Sequence, residues 1–165
     1  MDIKFIVDIN VGKLVKWLRM MGYDALLFRE TDDGIMIKIA LRQNRVVLTK
    51  DSQIMKRRVV TTGKLKILLL EGDNSRTQLR RVVNALDLNY NFKPLSRCLV
   101  CNRLLVISDN DNISNKVPPY IFANQSQYRR CPSCHRVYWQ GTHWQAMIEE
   151  LRKLTSEKKI HCEAV

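Results

Sequence analysis

Ile3 to Val7 is a short apolar run of the length of a buried strand, and it stops at Asp8. Val11, Leu14, Val15, Leu18 and Met21 then recur at helical spacing, with Gly22 as the C-terminal stop. The same alternation continues down the chain. Ala25 to Phe28 reads as a second strand, and Asp32 and Asp33 open a second helix that ends at Asn44. Val46 to Leu48 is a third strand, ending in Thr49-Lys50-Asp51 and followed by a short helix through Met55 to Arg58. Leu65 to Leu70 is a fourth strand ending at Glu71-Gly72-Asp73, and a fourth helix runs from Ser75 to Leu86. Short apolar strands alternating with amphipathic helices predict parallel pairing in an α/β sandwich. Right-handed crossovers then gather the C-terminal ends of all strands on one edge of the sheet.

The pattern changes after Leu86. Asp87 to Leu95 is polar, contains Pro94, and reads as a linker. Beyond it, Leu104 to Ile107 and Val137 to Trp139 look like strand pieces, Asp109 to Asn115 like a polar loop, and Trp144 to Leu154 like a closing helix. The expected organisation is a first domain over residues 1–93, a second over 94–155 and a polar tail over 156–165. No internal repeat or low-complexity tract interrupts it.

Composition adjusts this picture little. Hydrophobic residues make up 45% of the 165, enough for an ordinary core. No long uncharged apolar run suggests a membrane span. Met1-Asp2-Ile3-Lys4 carries no basic leader, so a soluble, cytoplasmic protein is expected. Charge is more informative: 28 basic against 16 acidic residues give net +12. The excess is spread over both halves, 18 basic and 10 acidic up to Leu95 and 10 and 6 after it. That favours a polyanionic partner, most simply nucleic acid, over a merely soluble basic surface.

Cysteine usage separates the halves. The first 97 residues have none; then come Cys98-Leu99-Val100-Cys101 and, after 29 intervening residues, Cys131-Pro132-Ser133-Cys134. Two C-x-x-C pairs at this separation match a four-thiolate zinc site. A disulfide framework does not suit a chain without an export signal, and a redox dithiol would account for one pair but not two. Four thiolates close a tetrahedral shell and leave no position for substrate, so the zinc is expected to be structural. Cys162, beside His161, reads as an incidental free thiol.

The chemistry is therefore sought in the first half. Asp8, Asp51 and Asp73 each follow an apolar strand, where open parallel sheets form ligand sites, and Asp33 starts a helix facing the same edge. Acids converging there would hold a hard divalent cation, Mg²⁺ or Mn²⁺, able to activate water for phosphodiester cleavage. Lys13, Lys16, Arg19 and Lys50 are candidates to hold the polyanion. Simple capping would also account for Asp33 and Asp51, a turn would account for Asp73, and a solvated helix face would account for the basic residues. Trp17 is expected to pack against the sheet.

With these residues in place the chain resembles the RNase domain family named for the C-terminal region of the mut-seven exonuclease. The matching pieces are Phe5-Ile6-Val7-Asp8, Gly12-Lys13-Leu14, Trp17-Leu18-Arg19, Gly22-Tyr23-Asp24, Asp32-Asp33 before Ala40, and Leu48-Thr49-Lys50-Asp51. The paired knuckles, Val117-Pro118-Pro119-Tyr120, and the run Arg136 to Trp144 complete the set. The resemblance covers roughly Lys4 to Leu154. It implies a PIN-like three-layer α/β nuclease domain followed by a zinc ribbon. It further implies a metal-dependent ribonuclease with Asp8, Asp33 and Asp51 as its acids, and the leading expectation is an endoribonuclease that prefers single-stranded RNA. Members often carry a further acid after the position of Asp33, where this chain has Gly34, and Asp73 is a loose candidate for a fourth acid. Two rival functions are a non-catalytic RNA-binding module stacking bases on Tyr138, Trp139 and Trp144, and a phospho-acceptor receiver domain. PIN-like folds can dimerise, so a homodimer is a further expectation.

Overall fold

The computed structural model describes residues 2–108, 113 and 115–156. Four strands, β1 (Lys4–Asp8), β2 (Asp24–Phe28), β3 (Arg45–Thr49) and β4 (Ile67–Leu69), form one parallel sheet in the order β2-β1-β3-β4. The helices between them are α1 (Leu14–Met20), α2 (Asp33–Gln43), α3 (Arg58–Thr61) and α4 (Ser75–Ala85). Tight 3-10 turns over Ile9–Val11 and Ser52–Lys56 follow β1 and β3.

Period-two alternation along β1 sends Phe5 and Val7 to one face and Ile6 to the other, and all three are fully buried. On the first face Leu14 and Leu18 of α1 meet Leu79 and Val82 of α4. On the second, Met36 and Ala40 of α2 pack with Val47, Ile54 and Leu65. The result is the three-layer α/β arrangement expected. Because α1 and α2 lie on opposite faces, the chain reverses direction across the sheet at β1, and β1 and β3 border the point of reversal.

The second half adds β5 (Val106–Ser108), β6 (Tyr128–Arg130) and β7 (Val137–Tyr138), an antiparallel sheet in that order. Helix α5 (Pro119–Asn124) precedes β6, and α6 (Thr142–Ser156) follows β7. Two of these elements escaped the sequence pattern: α5 starts at a Pro pair, and β6, Tyr-Arg-Arg, has no apolar alternation. The expected polar loop over Asp109–Asn115 and Cys162 fall largely or wholly outside the described residues.

Two features tie the halves together more closely than the sequence suggested. Helix α6, expected to close the ribbon, instead buries Met147 and Leu151 in the cluster that holds Phe5 and Leu79, and Arg76 of α4 pairs with its Glu150. The presumed linker is likewise pinned. Phe92 stacks on Tyr23 at 4.7 Å, and the Lys93 N–H donates to the Met21 carbonyl at 3.0 Å. Gly22, at φ +97, lies against the Lys93 carbonyl, where a Cβ would come within 2.2 Å of its oxygen. A side chain there would break this contact as well as the turn. No helix among the described residues is long and apolar enough to cross a membrane.

Candidate catalytic edge and zinc centre

Each C-x-x-C pair forms a knuckle of the same construction. The Cys98 N–H donates to the Arg103 carbonyl at 2.8 Å, and the Cys131 N–H to the Arg136 carbonyl at 2.9 Å. The residue after each second cysteine, Asn102 at φ 67 and His135 at φ 60, is left-handed, and its N–H returns to Cys98 or Cys131 at 3.0 Å. These turns aim all four sulfurs inward, within 4.8 Å of one another, with Cys98–Cys134 at 3.4 Å and Cys101–Cys131 at 3.3 Å. A tetrahedron built on Zn–S bonds of ~2.3 Å has edges of about 3.8 Å, so the donor set and its spacing fit zinc.

Electrostatics agree. Burial opposes ionisation of Cys98, but the Tyr138 hydroxyl and the Cys101 and Val100 amides overcome it and bring its pKa to about 6. The Arg136 amide favours the Cys134 thiolate, yet burial and the neighbouring thiols push it up to about 12. Four thiols this close cannot all ionise without a cation among them. The Tyr138 hydroxyl lies 3.1 Å from Cys98 Sγ and accepts the Leu99 N–H at 3.2 Å. It therefore serves the thiolate cluster and is not a free stacking surface.

Arg19 also turns inward. Expected on a substrate-binding face, it is only 6% exposed. Its guanidinium donates to the Ala25 carbonyl from Nε at 3.0 Å and Nη2 at 2.8 Å, and from Nη1 to the Leu99 and Val100 carbonyls at 3.0 and 2.7 Å. It thus clamps the first knuckle to β2. Asn102 reinforces this by accepting the Ala25 N–H and donating to Asp24, whose carboxylate also pairs with Arg45 and Arg97. Burial alone would raise Asp24, but those hydrogen bonds and charges hold it below the usual carboxylate range. Trp17 is half-buried against the first core cluster.

At the opposite edge, where the strands end, Asp8 leaves β1 and Asp51 follows β3, the two strands bordering the reversal point. Asp8 has no capping duty. Its Oδ2 accepts from Thr49 Oγ1 and Asn10 Nδ2, both at 2.6 Å. Thr49, fully buried, accepts the Asp51 N–H at 3.0 Å, and Asn10 Oδ1 accepts the Lys50 N–H at 3.2 Å. Asp51 Oδ1 caps the next turn by accepting the Gln53 N–H at 2.8 Å. One oxygen of each acid is held by these bonds, and among the described residues no hydrogen-bond donor reaches the other.

Asp33 is relieved of capping because Asp32 takes that position, accepting the Gly34 N–H at 2.7 Å. Its own pKa is raised, by burial first, then by the charges of Asp51 and Asp8, with Arg57 opposing. The three carboxylates thus feel one another, although they are spread more widely than the sulfurs. Among the described residues only the cysteines bring three or more ligand atoms within 4.8 Å. Asp73 is exposed and paired with Lys50, whose hydrogen bond first, and then whose charge with that of Lys13, lowers its pKa. Lys13 and Lys16 are exposed on α1. Asn10 and Thr49 were missing from the sequence reading; the run Leu48-Thr49-Lys50-Asp51 contains the only available signal, a hydroxyl residue ending a buried strand.

The family model described as Mut7-C RNAse domain matches residues 3–151. No curated protein and no solved structure matches the chain.

Proposed function

The chain belongs to the Mut7-C RNase domain family, and we propose that it hydrolyses phosphodiester bonds of single-stranded RNA at the Asp8–Asp33–Asp51 edge. Nuclease activity on RNA is what membership in an RNase-domain family implies. The finer reading rests on one observation: Asp8 and Asp51 leave the two strands at the reversal point of the sheet, each with one oxygen held by the protein.

The donor chemistry fits Mg²⁺ or Mn²⁺. The ligands are hard carboxylate oxygens, and their mutual repulsion, felt at Asp33, is relieved by a cation. Bound there, such an ion supplies Lewis acidity and a water of lowered pKa. The protein's own part is positioning. Thr49 and Asn10 fix the plane of the Asp8 carboxylate, and the capped turn fixes that of Asp51. Lys50, paired with Asp73, and Lys13, at the start of α1, put positive charge on the same edge of the sheet, where phosphates approach. The zinc is structural: four thiolates leave no open position.

The test is incubation of the chain with end-labelled single-stranded RNA in Mn²⁺ or in chelator. Mn²⁺-dependent cleavage that disappears in Asp8→Asn with Asp51→Asn is the expected result. Cleavage that survives both substitutions would falsify the site. Salt-sensitive binding without cleavage under any divalent ion would favour a binding module instead.

A further inference from the structure

We propose that the trough between the zinc ribbon, α1, α5 and α6 is a groove for single-stranded RNA, holding the strand that extends from the cleavage edge. This rests on the ribonuclease reading for its ligand. Two adjoining hollows, of about 420 and 830 Å³, share Lys16, Leu99, Trp139 and the β7 residues Val137 and Tyr138, and so form one continuous depression. Its aromatic lining is Tyr120, 68% exposed, with half-buried Trp139 and Trp144. Its cations are Lys16, Lys116 and Arg136, none of them in an ion pair among the described residues. Among the described residues no carboxylate lines either hollow, whereas two other hollows along α6 carry Glu149, one of them Glu150 as well.

Ring faces interleaved with unpaired cations, and no acid, suit a strand of bases and phosphates. An acidic peptide would use the cations but leave the rings without a matching planar group. Gly141 gives the Trp139 indole its place: a Cβ there would come within 2.7 Å of Trp139 Nε1. The groove also connects to the aspartates. Lys16 lies three residues beyond Lys13, ~4.5 Å along α1, and Lys13 is the N-cap residue of α1, just after the turn that leads away from Asp8. Helix α1 therefore carries a basic track from the cleavage edge into the groove, while Arg19, further along, braces the knuckle below it.

The test uses the zinc-loaded chain carrying Asp8→Asn and Asp51→Asn, so that binding is read without cleavage. Fluorescence anisotropy of a fluorescein-labelled oligouridylate of roughly 16 nucleotides gives the affinity. Tyr120→Ala, at an exposed position, should weaken binding about fivefold or more, and Tyr120→Phe should restore it. Substituting Lys16, Lys116 and Arg136 together by Ala should reduce the slope of log affinity against log salt by about 2. Gly141→Ala, which keeps every groove side chain but displaces the indole, should weaken binding several-fold with zinc content unchanged. Parental affinity in Tyr120→Ala and an unchanged salt slope in the triple variant would overturn the groove. So would displacement of the RNA by polyglutamate of equal charge as efficiently as by unlabelled RNA. If the parent chain does not cut RNA in Mn²⁺ while binding still depends on Tyr120, the groove stands and the ribonuclease reading falls.

Discussion

Asp33 sits one residue inside α2 because Asp32 takes the capping position, and the consequence is a carboxylate without a hydrogen-bond partner among the described residues that feels the charges of two others. Its raised pKa means that the folded chain holds that proton more tightly than the unfolded chain. Ionised Asp33 therefore opposes folding, a penalty that appears as pH rises through the window from the ordinary carboxylate value to the raised one. In metal-free buffer near neutral pH, Asp33→Asn should raise Tm on the order of 1 °C, and the gain should vanish in the acid range. In the metal-free chain Asp33 should take up its proton from above the usual aspartate range, so the Mn²⁺ concentration needed for half-maximal cleavage should rise as pH falls into that range. Thr49 is a positioning residue for the proposed reaction, since its hydroxyl links Asp8 to the Asp51 N–H. Thr49→Val should cost about 1–2 kcal/mol in urea unfolding and lower cleavage on the order of tenfold or more. The distinguishing readouts are a higher Mn²⁺ concentration for half-maximal rate and recovery in Thr49→Ser.

At the scale of elements, α1 does two jobs with one basic stripe. Lys13 and Lys16 stay in solvent, while Arg19, two turns on, crosses to the Leu99 and Val100 carbonyls of the first knuckle. Helical periodicity places the three on one side of the helix but does not say what covers that side further along. Arg19→Ala leaves three carbonyls without their shared donor and should destabilise the chain by at least about 3 kcal/mol in denaturant unfolding. Arg19→Lys, unable to span them, should recover less than half of that. A solvent-exposed, RNA-binding Arg19 would instead leave stability unchanged and weaken RNA affinity alone. Helix α6 teaches the same lesson from the other end of the chain. Its amphipathic stripe was visible in Trp144 to Leu154, but not its destination on α4.

Across the whole molecule these contacts make the ribbon an integral part of the fold. It is entered through a segment pinned at Gly22 and left through a helix buried against α4, and its first knuckle is stitched to the start of β2. Zinc loss should therefore be felt in the first domain. Removing the metal with a strong chelator under reducing conditions should lower the Tm of the main transition by at least about 5 °C. Hydrogen exchange should rise in β2 along with the ribbon, and less in β3, which lies beyond β1 from the knuckle. An unchanged main transition, with loss of protection confined to the ribbon, would show two independent units.

How much of this could be read from the chain follows a single physical divide. Features set by local spacing were legible. Strand and helix order follows from periods of 2 and 3.6, the four-thiolate site from two tight turns, and the strand-end acids from where apolar runs stop. Asn44 and Gly22 end their helices as their backbone freedom predicts. Long-range contacts decided the rest: Arg19 buried beneath a knuckle 80 residues away, Tyr138 bonded to the Cys98 thiol, and α6 packed on α4. Each of these is an amphipathic or charged group whose partner lies outside its own helical turn or strand. Its local pattern is the same whether it meets solvent, substrate or protein, and only the tertiary structure determines which.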